Sequence, residues 1–210
     1  MTQQSRNLEK LNLVAFYAAP LCLIASSLAY IVLGNGMNNG VVGGFIQCAA
    51  MFLFIFPMLG LTSITSEKLP RFSVVFRILL VFGCFMGFLF GIDSVLNATQ
   101  PNSYTILEMD KSMYVFMMTF GPIWPIALGI FGIVAGVKKI LPVLHSVLLS
   151  ISGFSFPIGR IPKIEVLYIF TDLLLIISFF MIAGYIKNRE LKSSVTSDKQ
   201  FKANTSDALI

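Results

Sequence analysis

Six unbroken apolar blocks, residues 12–33, 41–62, 73–96, 113–137, 141–159 and 164–186, constrain this chain more than anything else in it. A helix needs about 20 mostly apolar residues to cross the hydrocarbon core of a bilayer, and each block is of that order. None shows the in–out alternation of barrel strands, so helices are the only spanning structures that satisfy their backbone groups. Only 12% of the residues are charged, against roughly 25% in an ordinary soluble domain. Too few charges remain to cover a water-soluble surface, and the apolar runs exclude intrinsic disorder. The expected fold is all-α: a polytopic membrane protein built as a bundle of six transmembrane helices over residues 1–186. Residues 187–210 are polar and without hydrophobic period. Composition alone reads them as a disordered tail.

Basic residues set the orientation of such a bundle. With six spans and a cytoplasmic N-terminus, Arg6, Lys10, Lys68, Arg71, Arg77, Lys138, Lys139, Lys187, Arg189, Lys192, Lys199 and Lys202 fall inside, and only Lys111, Arg160 and Lys163 fall outside. Both termini are therefore expected in the cytoplasm, with the protein in the cell membrane of a prokaryote. Most of the net charge of +5 is this topological signal, with attraction to anionic lipid as a by-product. The bilayer is the expected partner and no nucleic acid is needed. Arg6, Lys10 and Ser27-Leu28-Ala29 also fit a signal peptide, but the apolar run continues through Leu33, which favours an anchor.

Lipid tails are as apolar as leucine, so helix association relies on close backbone approach. Gly83, Gly87 and Gly91 form a doubled GxxxG stripe in the third span, and Gly129, Gly132 and Gly136 a similar one in the fourth. Such stripes pack helices within a bundle or dock a homo- or hetero-oligomeric partner. Gly121, Pro122, Trp124 and Pro125 crowd a glycine and two prolines into five residues. That predicts a helix break, which is tolerated at membrane depth only where it is buried or lines a cavity. Cys22, Cys48 and Cys84 lie near mid-span, out of reach of disulfide chemistry.

Charges inside a span are costly and mark functional sites by default. Asp172 lies eight residues into the sixth block, about 12 Å below its outer boundary at 1.5 Å per residue. Glu165, Tyr168 and Asp172 share one helical face by their i, i+3, i+7 spacing. Asp93 and Arg160 close the third and fifth blocks on the same side. Together these five residues would line an acidic pocket in the outer half of the bundle for a small solute or cation, with Arg160 balancing the charge. The plainer alternative is an ion-pair network that locks helices together. His145, the single histidine, lies near the inner end of the fifth block and is read as packed or interfacial. No metal site or cofactor is expected.

Catalytic signatures are missing: there is no H-E-x-x-H, C-x-x-C, Walker A loop or G-x-G-x-x-G. Gly153-Phe154-Ser155 is similar to the G-x-S motif of rhomboid proteases. The nearest histidine, His145, stands ten residues away on the same helix, about 15 Å, so no dyad forms. Gly121-Pro122-Ile123-Trp124-Pro125, Lys139-Ile140-Leu141-Pro142 and Phe156-Pro157-Ile158-Gly159-Arg160 resemble the layout of small six-span bacterial integral membrane proteins. The resemblance covers about a quarter of the chain and implies the bundle, without an activity or a site. Three classes of function follow: small-solute or ion binding and transport through the acidic pocket, a non-catalytic subunit or sensor docking through its glycine faces, and, least favoured, a membrane-embedded enzyme. An Asp172 sealed in a dry ion pair would count against the first.

Overall fold

A computed structural model describes residues 3–36, 38–100, 111–162 and 164–207. All regular structure among them is α-helical: α1 (Gln3–Leu33), α2 (Val41–Ser66), α3 (Pro70–Thr99), α4 (Lys111–Phe120), α5 (Ile123–Val137), α6 (Val143–Arg160) and α7 (Glu165–Asp207). Five stretches are long and apolar enough to cross a membrane: Leu11–Leu33, Val41–Ser66, Pro70–Thr99, Tyr114–Val137 and Glu165–Arg189. The block at 141–159 also forms a helix, α6, but His145, four serines and Arg160 lower its hydropathy below that of the others. Beyond its apolar part α7 runs on to Asp207, into the segment that composition reads as a tail. Helix propagation from a formed end needs no new nucleus, so a polar continuation costs little.

Local chemistry sets the turns. Pro70 opens α3, where its missing N–H is an orphan in any case. The turn after α1 needs left-handed backbone at Gly36 (φ 102°) and Asn38 (φ 59°), the residue types that tolerate it best. At the end of α5, Ile140 N–H donates to Ala135 O (2.8 Å) and Lys139 N–H to Gly136 O (3.0 Å). This is a Schellman ending with lysine (φ 51°) where glycine is usual. Pro142 then begins the next helix.

The helices close into a ring in which α1–α2, α2–α3, α3–α5, α5–α6 and α6–α7 pack in turn and α7 returns onto α1. Phe16, Ala19 and Leu23 of α1 lie fully in the core, so the first block is a structural member of the bundle. An aromatic cluster fills the middle of the ring. Phe54 packs against Trp124 (5.0 Å) and Phe179 (5.4 Å), Trp124 against Phe156 (5.1 Å), and Phe16 against Phe179 (5.8 Å). Val14, Phe45, Ile78, Val147 and Leu173 point outward and are exposed, as expected of a surface solvated by lipid. Lys68 Nζ donates to the carbonyl of Lys139 (3.3 Å), and Arg189 pairs with Glu67 (3.0 Å). The α2–α3 turn, the α5–α6 turn and residue 189 of α7 therefore share one basic end of the bundle.

Candidate functional site: a buried arginine–aspartate centre

Two i, i+4 pairs face each other near the opposite end. Phe156 and Arg160 occupy one stripe of α6, and Tyr168 and Asp172 one stripe of α7. Gly159 lets the helices meet, since a Cβ there would lie 3.0 Å from Leu167 O and 3.1 Å from Thr171 Cγ2. Arg160 Nη2 donates to Asp172 Oδ1 at 2.9 Å and to Oδ2 at 3.3 Å. The side chains are 11% and 0% exposed, respectively. The guanidinium lies between two rings, 4.3 Å from the centroid of Phe156 and 3.9 Å from that of Tyr168. Weak hydration of guanidinium makes arginine the cation that such an apolar sandwich accepts.

Hydrogen bonds from other elements complete the centre. Ser27 of α1 donates its hydroxyl to Asp172 Oδ2 and accepts from Arg160 Nη2 at 3.2 Å. Arg160 Nη1 donates to Tyr168 Oη (2.7 Å), which in turn donates to Oδ1 of Asn38 in the α1–α2 turn (2.7 Å). Both carboxylate oxygens of Asp172 are thus engaged by a cation and a hydroxyl, leaving a neutral, satisfied pair. Arg160 Nε is buried and has no hydrogen-bond partner among the described residues. Tyr30 of α1 packs on Tyr168 and donates to Gln47 Oε1 (3.1 Å), while Gln47 Nε2 donates to Gly87 O (3.0 Å). A polar seam therefore runs from α6 through α7 and α1 to α2 and α3.

Arg160, Tyr168 and Asp172 come together. Glu165 does not join them: it opens α7 and is exposed, where a carboxylate complements the helix N-terminus. Asp93 is buried on α3 and accepts a hydrogen bond from Asn97 Nδ2 (3.3 Å). Lys163, counted with the outer charges, lies outside the described residues. Sequence reasoning did not place Ser27, Tyr30, Asn38 or Phe156 in the site. Ser27 and Tyr30, at i, i+3 in an apolar block, were the available signal, but neither is charged.

The helix between α4 and α5 is interrupted at Gly121-Pro122, and the interruption is packed. A Cβ on Gly121 would meet the Phe90 ring at 2.6 Å, Trp124 is 2% exposed and Pro125 is buried. The glycine stripes face the chain's own helices. A Cβ on Gly83 would meet the Trp124 backbone, on Gly87 Met51 Sδ (2.6 Å) and on Gly91 Cys48 Sγ (2.7 Å). On Gly129, Gly132 and Gly136 it would meet Phe154, Ser150 and Ser146 of α6. All six are taken up inside this chain, so they offer little to an external partner.

His145 lies edge-on to Tyr185 at 5.8 Å, and the three cysteines are free. Among the described residues, no three His, Cys, Asp or Glu side chains gather as a metal site. No family model, curated protein or solved structure matches the chain.

Proposed function

We propose that this chain is a six-span integral membrane protein of a prokaryotic cytoplasmic membrane, with both termini in the cytoplasm, whose Arg160–Asp172 centre is a structural clamp joining α1, α6 and α7 rather than a site for a transported solute or ion. Support for the sixth crossing comes from α6, which runs from the basic end of the ring to the arginine–aspartate centre. Its 18 residues span about 27 Å, close to the thickness of the hydrocarbon core. The gathering of Lys68, Arg71, Lys138, Lys139, Lys187 and Arg189 at one end supports a cytoplasmic assignment for that end.

One observation carries the functional reading: Asp172 is fully buried with both oxygens satisfied by Arg160 and Ser27. A carboxylate already neutralised in this way is a poor cation site. The aromatic cluster fills the ring beneath it. The geometry thus favours a clamp over an open pathway for a solute or ion. Small-solute handling is the second reading, favoured by the unpartnered Arg160 Nε beneath the Asn38 turn.

Flux through proteoliposomes separates the two. Under the clamp reading, proton and monovalent-cation flux matches protein-free liposomes, and Asp172→Asn changes nothing. A flux above background that disappears in Asp172→Asn overturns it. Thiol labelling of Lys139→Cys and Ile161→Cys in a Cys22, Cys48, Cys84 triple-serine background tests the topology. Labelling of both positions from the same side would refute six crossings.

A further inference from the structure

At the basic end, α1, α2 and α7 leave a crevice of about 160 Å³ lined by Asn12 and Phe16, by Gly60, Ser63 and Ile64, and by Ile186. Its walls are of two kinds. Asn12 and Ser63 supply hydrogen-bonding groups, while Phe16, Ile64 and Ile186 are apolar. Gly60 packs directly against the buried Phe16 ring, since a Cβ there would lie 3.0 Å from Cε2. Three residues beyond Ile64 and Ile186, about one helical turn, Glu67 and Arg189 form an exposed ion pair of 3.0 Å that joins α2 to α7. Exposed Lys187 follows Ile186 directly, and exposed Lys68 follows Glu67. Among the described side chains at this end, seven cations, Arg77 included, stand against one carboxylate, Glu67, which Arg189 already holds.

Apolar and polar walls below a cationic mouth complement an amphiphile with an anionic head. We propose that this crevice binds one anionic glycerophospholipid from the leaflet at the basic end. Its phosphate sits against Arg189, its ester region lies against Asn12 and Ser63, and the start of one acyl chain runs along Ile64 and Ile186. Arg189 can serve both partners, because a guanidinium has five N–H donors and Glu67 takes one edge. Electrostatic attraction without the crevice would recruit such lipids diffusely and without saturation. The crevice makes the binding stoichiometric. The inference rests on the membrane reading and goes beyond it.

The test uses the full chain, first shown to float with liposomes after a carbonate wash, then moved to detergent and titrated with lipid under native mass spectrometry. Retention of a single phosphatidylglycerol, with phosphatidylcholine lost at the same activation energy, is the expected result. Arg189→Gln weakens retention about fivefold, the effect of removing one basic residue near an anionic headgroup. Ser63→Phe fills the crevice from an exposed position and abolishes retention while the helical circular dichroism persists. Millimolar inorganic phosphate leaves the lipid bound. Equal retention of the two lipids, unchanged retention in Ser63→Phe, or displacement by phosphate overturns the proposal. A chain that floats but shows any of these results refutes the lipid site alone, whereas failure to float refutes the membrane reading itself.

Discussion

Removing the Asp172 carboxylate by Asp172→Leu leaves the Arg160 guanidinium buried without a counter-charge. Three hydrogen bonds disappear, two from Arg160 Nη2 and one from Ser27, while the ring sandwich and the Tyr168 bond remain. Breaking a buried pair by deleting one partner costs about 3–5 kcal/mol. Arg160 keeps 11% exposure near the end of α6 and can shift its head outward, which places the expected loss near 3 kcal/mol. Such a loss lowers the folding equilibrium constant more than a hundredfold. Arg160→Met costs a similar amount by stranding the carboxylate. The double variant Arg160→Met/Asp172→Leu removes both charges together and is expected within about 1 kcal/mol of the parent, because apolar replacement of a whole buried pair is near neutral or stabilising. Reversible unfolding in mixed micelles, with rising mole fraction of dodecyl sulfate, measures all four proteins of this cycle. A single-variant loss below about 1 kcal/mol, the usual worth of an isolated polar contact in a membrane bundle, would refute the clamp. So would a double variant as unstable as the sum of the singles.

Other outcomes follow from the same geometry. Tyr168→Phe cuts the link from Arg160 to Asn38; it should cost about 1–2 kcal/mol and speed amide exchange in the 34–40 turn, and unchanged exchange there would detach the turn from the centre. Gly83→Ala forces a Cβ onto the Trp124 backbone and should destabilise by about 1–3 kcal/mol. Gly184→Ala, with nothing within 4 Å, should be neutral or stabilising by up to about 1 kcal/mol, and thermal unfolding of the two variants side by side checks the contrast. Lys139→Gly relieves a left-handed backbone at the end of α5 and should raise stability by about 1 kcal/mol. Glu165→Gln, at an exposed position, should shift stability by no more than about 0.5 kcal/mol. A larger loss would place Glu165 in the buried network.

The apolar blocks alone determined that the chain is helical and compatible with a bilayer, because the length of a hydrophobic run is a property of the linear sequence. The same reasoning singled out Asp172, Tyr168 and Arg160, since a charge within such a run is conspicuous wherever the helix comes to rest. What a linear pattern leaves open is the rotation of each helix about its own axis, which packing against neighbours sets. Rotation decided that Asp172 meets Arg160 and a serine 145 residues away. The i, i+7 spacing grouped Glu165 with Asp172, but the end of the helix left Glu165 exposed. Packing also turned the glycine stripes inward, onto Trp124, Cys48 and the serines of α6, where the sequence allowed an outward docking face equally well. The aromatic cluster that fills the ring could not be read from 20 phenylalanines spread over every block. Which of them face the centre and which face lipid is a property of the assembled bundle, and that distinction separates a closed core from a pathway.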